Sequence, residues 1–258
     1  MNYKADFFKL LNKLKNRENF AFVRYSDGEA LVMQNKKLVL TDDHVEAGEI
    51  IYNFGYSPQD HKEFIPEKHE FVKEALLNSY KFKSENYFVG SICKNCDCAS
   101  KEYAEWMKQE YGDYDEHYTS ANLLVNSNYP LFINNFIPEL KNRQNIIICN
   151  EKATFDKLPF PVLKNFQVGT NCIVNDHHLI EEIKKYIDEN VIKDHVFLFS
   201  ASSLSEVLIH QLFKHNNQNT YIDIGTALHP YLKLDVARDY LRAYWNGINH
   251  PDLYKECK

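Results

Sequence analysis

The chain is poor in cysteine, with six in 258 residues, irregularly spaced, which rules out a disulfide-stapled scaffold. No stretch comes near the ~20 consecutive apolar residues that span a bilayer. The N-terminal MNYKADFFKLLNKLKN breaks its apolar residues with lysine every three or four positions, so it lacks the apolar core of a signal peptide and reads as an amphipathic helix. With no export signal and scattered cysteines, reduced thiols in a cytoplasmic protein are expected. Basic excess is absent too: 30 Lys+Arg stand against 36 Asp+Glu, a formal charge of −6, so a nucleic-acid-coating role is excluded. There is no Gly/Pro/Ser linker, internal repeat or low-complexity tract. Three signatures of common α/β enzymes are missing as well: G-x-x-x-x-G-K-[ST], G-x-G-x-x-G after the first strand, and G-x-S-x-G.

Present instead are 44% apolar and 26% charged residues, the proportions of a folded globular chain. Short apolar runs alternate with helical periodicities, the pattern of βαβ units feeding a mostly parallel sheet. Phe7, Leu10, Leu11 and Leu14 share a helical face. Strands are expected at 20–25, 87–90, 145–149, 166–169, 195–199 and 220–224, and helices near 44–54, 68–79, 100–111, 178–189 and from 204. Residues 112–135 are the least regular and suit an inserted cap or acceptor-side segment. The expected architecture is one doubly wound, Rossmann-like α/β domain over 1–258, a mostly parallel sheet flanked by helices.

In such sheets ligands sit beyond the carboxyl ends of the strands. Four polar clusters fall there: Arg24-Tyr-Ser-Asp-Gly-Glu29, Asn150-Glu151, Ser200-Ala-Ser-Ser203, and Asp223-Ile-Gly225 with His229. Asp27 and Glu29, one glycine apart at a strand-to-helix turn, can hold a hard divalent cation, with Gly28 free to take a positive φ; they equally suit a helix cap and first-turn acid. Ser200–Ser203 opens a helix whose amides suit a phosphate, and Ser203 with Glu206 has capping-box spacing. Asp223 can accept a proton, hold a sugar hydroxyl, or close an Asx-turn. His229 shares that rim or is an ordinary structural histidine. Cys93, Cys96 and Cys98 form C-x2-C-x-C, one thiolate short of a structural zinc site, and plain thiols are the preferred reading. Asp176-His177-His178 reads as a helix N-terminus, since adjacent helical residues point about 100° apart.

The blocks Phe22-Val-Arg-Tyr-Ser-Asp-Gly-Glu29 and Phe199-Ser-Ala-Ser-Ser-Leu followed by Tyr221-Ile-Asp-Ile-Gly225 resemble the GT-D type of bacterial glycosyltransferase, once a domain of unknown function. The likeness spans roughly residues 20 to 230. It departs at the late turn, where relatives often carry Gly-Pro and this chain has Ala201-Ser202-Ser203.

The resemblance implies a GT-D fold and a nucleotide-sugar-dependent glycosyltransferase of polysaccharide biosynthesis, acting on a glycan or glycoconjugate acceptor. It places Asp27 and Glu29 on a Mn2+ or Mg2+ ion and the donor diphosphate. With that frame, Asp223 is the third catalytic candidate. Arg24, Ser26, Gly28, Asn150, Glu151, Ser200, Ser202, Ser203, Gly225 and His229 are the donor-binding candidates. A homo-oligomer is allowed and not required. The alternatives are a metal-dependent phosphohydrolase or nucleotide-processing enzyme, and a noncatalytic nucleotide- or glycan-binding subunit.

Overall fold

A computed structural model describes residues 3–92, 100–113 and 115–247. Cys93, Cys96 and Cys98 lie outside them. Seven strands, β1 (Ala21–Arg24), β6 (Tyr87–Ser91), β7 (Tyr118–Ser120), β8 (Asn145–Asn150), β9 (Lys164–Val168), β10 (Val196–Ser200) and β11 (Thr220–Asp223), form one sheet in the order β7-β6-β1-β11-β10-β8-β9. Every adjacent pair is parallel. The apolar runs are unbroken because both faces are buried, as in a doubly wound sheet. Ala21 and Val23 enter one core while Phe20 and Phe22 enter the other. Ile146 and Ile148 divide from Ile147 and Cys149 in the same way.

The first core is covered by α2 (Asp27–Met33), α3 (Glu70–Lys81), α4 (Lys101–Tyr111), the short α7 (Cys172–Asn175), α8 (Leu179–Glu189) and α9 (Leu204–His215). The opposite core takes α1 (Tyr3–Lys15), α5 (Tyr129–Leu131) and α6 (Ile137–Leu140) joined by a π turn over Phe132–Phe136, α10 (His229–Leu232) and α11 (Asp239–Asn246). The face of α1 marked by Phe7, Leu10, Leu11 and Leu14 is buried, as its spacing predicts.

The helix expected at 44–54 is not there. That stretch is a hairpin of β3 (Val45–Ala47) and β4 (Ile50–Tyr52), in a second, antiparallel sheet of order β4-β3-β2-β5 with β2 (Leu38–Leu40) and β5 (Lys62–Phe64). Gly48, at φ +65°, makes the turn and ends any helical reading. Residues 112–135 supply strand β7 and buried Leu123, Leu124, Val125 and Tyr129 of the second core. No helix among the described residues is long and apolar enough to cross a membrane.

The chain runs from β1 outward through β6 to β7, then builds β8 to β11 on the other side. The strand order therefore reverses between β1 and β11, and the crevice of a doubly wound sheet opens at such a point.

Candidate active site at the carboxyl ends of β1, β10 and β11

Arg24 closes β1 and bridges the reversal. Its Nε donates to the Ala121 carbonyl at 2.7 Å, and its Nη1 lies 3.8 Å from Asp223 Oδ1 at the end of β11. Gly225, φ +49°, makes room for the guanidinium: a Cβ there would stand 2.0 Å from Nη1. Asp223 Oδ1 also accepts from the Gly225 amide at 2.7 Å, the Asx-turn anticipated from its position. Burial drives the Asp223 carboxyl up to about 6 against the opposing pull of Arg24.

Beneath this pair is a residue that the sequence suggests only as a helix-capping acid. Glu206 does not close a capping box with Ser203. Its side chain is buried and hydrogen-bonds Asp223, and burial followed by the Asp223 charge pushes its carboxyl well above the usual range. Glu206 Oε2 has no partner. Two carboxyls pressed together in low dielectric favour holding a proton between them.

One turn away, Ser26 caps α2. Ser26 and Glu29 form a reciprocal capping box, with the Ser26 amide donating to Glu29 Oε2 at 2.9 Å. The cap is therefore Ser26, leaving Asp27 uninvolved in it. Glu29 Oε1 accepts a short bond from the Ser203 hydroxyl, so both of its oxygens are engaged. Ser203 Oγ also receives Lys62 Nζ at 3.4 Å. Lys62 is a residue that sequence reasoning missed; it reaches the rim from β5, in a region where no strand is expected from the sequence. Gly28 sits in the first turn of α2 and has no positive φ, contrary to expectation; a Cβ there would meet Leu38 Cδ2 at 3.5 Å and Lys62 Nζ at 3.9 Å, ordinary contacts.

Asp27 is different from its neighbours. It is partly buried, its Oδ1 is enclosed without a partner, and burial with the charge of Glu29 raises its carboxyl to about 6. Tyr103 of α4 feels the Asp27 charge, although burial contributes most to raising its hydroxyl.

Beside this group lies a hydroxyl–imidazole pair. Ser200 Oγ is 3.4 Å from His229 Nε2, and His229 Nδ1 is 2.9 Å from the Asp235 carbonyl. A carbonyl only accepts, so the proton resides on Nδ1 and Nε2 keeps its lone pair. Burial lowers the His229 pKa and keeps the ring neutral. Ser202 is exposed and holds φ +49°, a conformation glycine adopts without strain.

The remaining candidates stand apart. Asn150 Oδ1 accepts from the Lys152 amide at 3.0 Å, an Asx-turn, and Glu151 is exposed. Among the described residues neither is hydrogen-bonded to the Arg24–Asp223 group. Cys149 and Cys172 are buried thiols raised to about 12, chiefly by burial, and are not nucleophiles. Asp176 accepts the Gly169 amide at 2.8 Å and His177 Nε2 contacts the Ile173 carbonyl at 2.7 Å, as befits a turn leading into α8.

An all-parallel, doubly wound sheet with acids, hydroxyls and an N-terminal helix turn gathered at its switch point defines a doubly wound α/β protein. No family model matches the chain, and no curated protein does. Two solved structures share its fold. One is the selenomethionine-substituted domain of unknown function 1792, with a TM-score of 0.52 and 14% identity. The other is domain of unknown function 1792 described as having a distinct glycosyltransferase fold, with a TM-score of 0.54 and 13% identity. Each covers 86% of this chain and 77% of the other. The chain thus has a glycosyltransferase fold, the one its Asp-x-Glu block implies.

Proposed function

We propose that the protein is a glycosyltransferase that moves a sugar from a nucleotide-sugar to a glycan or glycoconjugate. The observation that carries this reading is Asp27: a carboxylate with an enclosed, unpartnered oxygen at the switch point of a glycosyltransferase fold. A buried polar atom without a partner is costly, and a ligand that supplies one relieves the cost.

The donor set suits a cation shared with substrate. Among the described residues no three His, Cys, Asp or Glu side chains are arranged to hold a metal by themselves. Mg2+ and Mn2+ commonly take one or two carboxylates and complete their shells with substrate phosphates and water. Asp27 would hold such an ion, with Glu29 behind it; when bound, the ion stabilises charge on the departing diphosphate.

The chain's own groups supply the rest. Lys62, beside Ser203, places a positive charge where the diphosphate is released, and exposed Ser202 offers a hydroxyl at the start of α9. Glu29 holds the capping turn and Ser203 in place, positioning Asp27. Arg24 is committed to Asp223 and Ala121, so this pair fixes the crevice floor. His229 Nε2, with its tautomer set by Asp235, can take the proton of an acceptor hydroxyl.

Nucleotide release from a panel of nucleotide-sugars, with and without Mn2+ or Mg2+, tests the reading. Asp27→Ala should lower cation-dependent turnover by roughly a hundredfold or more, with the unfolding midpoint no lower than in the parent. Undiminished turnover in that variant would reject the assignment.

A further inference from the structure

Three aromatic rings stand in a row that begins at the end of β4. Tyr103 lies within electrostatic reach of both Asp27 and Tyr52. The Tyr52 ring centroid is 5.6 Å from that of Phe54, which is 6.0 Å from that of Tyr56. β4 ends at Tyr52 and the chain bends at Asn53, so it is the ring contacts that hold the three rings in one row. Tyr52 is 40% exposed and Phe54 51%. Large rings left this open in a contiguous row mark a binding surface.

The row is held in place. Gly55 passes so near Asp42 that a Cβ would lie 1.9 Å from its carbonyl oxygen, and the Tyr56 amide donates to the Thr41 carbonyl at 2.7 Å. At the far end Arg238 lies 5.9 Å over the Tyr56 ring and 3.9 Å from Asp60. Asp60 and Arg238 are both among the charges acting on His229. The Tyr56 carbonyl lies 3.2 Å from His61 Nε2, and the next residue, Lys62, reaches Ser203 on the rim at 3.4 Å.

We infer that Tyr52, Phe54 and Tyr56 form the acceptor subsite, and that its occupant is an uncharged oligosaccharide whose sugar faces stack on the rings. This rests on the glycosyltransferase reading. Charge separates the occupants: Asp42, Asp43, Glu46 and Glu49 outnumber Lys36 and Lys37 on this hairpin, Lys36 lies 5.6 Å over the Tyr103 ring, and Lys37 and Arg238 are each paired with a carboxylate. A phosphate-rich or anionic surface is repelled there. Sugar faces are lined with C–H groups, carry no charge and complement the negative face of an aromatic ring. A second copy of the chain is disfavoured by size, because the three part-exposed rings together with exposed Ile50 and Ile51, each adding about 100 Å2, fall short of the roughly 800 Å2 per partner of a stable interface.

The full chain is tested on a printed array of neutral and sulfated oligosaccharides and on phosphatidylserine-containing vesicles. UDP and GDP binding and the oligomeric state are measured in parallel. The expected result is retention of one class of neutral oligosaccharide. Tyr52→Ala and Phe54→Ala should each weaken it roughly tenfold, with an unchanged unfolding midpoint and unchanged nucleoside diphosphate binding. The subsite is overturned by no saccharide retention, by equal retention in the variants, by preference for sulfated sugars, by vesicle capture, or by a dimer that either substitution dissociates. Saccharide retention without UDP or GDP binding keeps the sugar site and removes its transferase role. Nucleotide binding without saccharide retention does the reverse.

Discussion

A carboxylate that is ionised at working pH yet raised to about 6 is destabilising where it stands, and Asp27 is such a group. Its folded pKa exceeds its unfolded value, so between about pH 4 and 6 the folded state holds a proton that the unfolded state has lost. The associated stability is full below pH 4 and disappears as pH rises through 6. Asp27→Asn should therefore melt higher than the parent at pH 7.5 and equally at pH 4. After discounting for partial exposure, the gain is about 1 kcal/mol, or roughly 3 °C. A thermal melt at the two pH values checks this, and a lower midpoint at pH 7.5 would contradict it. Gly225 poses the opposite case. Its φ of +49° and the 2.0 Å approach of Arg24 Nη1 leave no place for a methyl group. Gly225→Ala should cost about 2–3 kcal/mol through strain and displacement of the guanidinium, read as a fall in denaturation midpoint. Neither effect is legible from residue type alone, since Asp-x-Gly and Asp-Gly look like the same turn punctuation at both places.

At the scale of elements, legibility followed burial. The strands at 145–150 and 196–200 announce themselves because both faces are covered and each carries an unbroken apolar run, 146–149 and 196–199. The hairpin at 45–52 does not, since β4 is exposed along its length and its isoleucines have no alternating polar partners to set a period. Missing that sheet meant missing Lys62, which depends on β5 for its position. Glu206 was visible but misassigned, because S-x-x-E spacing fits a cap and a buried acid equally well; the sheet edge decides between them. Arg24, Asp27, Glu29, Ser203 and Asp223 were legible as strand-end polar clusters, and what the sequence could not convey was that Glu29 and Ser203 bond each other across 174 residues. The buried acid of α9 gives a sharp expectation. Glu206→Gln keeps the shape and a donor to Asp223 and should shift the melting temperature little. Glu206→Ala leaves a cavity and an unpaired Asp223, costing about 2–3 kcal/mol or roughly 5–10 °C. Similar melting of the two variants would show that the Asp223 contact carries no weight.

For the whole molecule, the reversal between β1 and β11 divides the chain into two structural halves that meet at the crevice. Arg24–Asp223 and Glu29–Ser203 are cross-links between those halves, made by side chains whose backbones lie on opposite sides of the reversal. Under the proposed function a nucleotide seated there would contact both, and its binding energy would be felt by both. Hydrogen exchange can read this directly. Without ligand, amides of the central strands β1, β11 and β10 should exchange last, and those of the edge strands β4, β7 and β9 first. A nucleoside diphosphate with Mn2+ at a hundredfold its Kd should stabilise the native state by about 2.7 kcal/mol and slow the most protected amides by roughly a hundredfold. The added protection should appear in parallel on α2, from the first half, and on the turn at 200–205, from the second. Protection confined to one half would move the ligand away from the switch point, and with it the role assigned to Asp27.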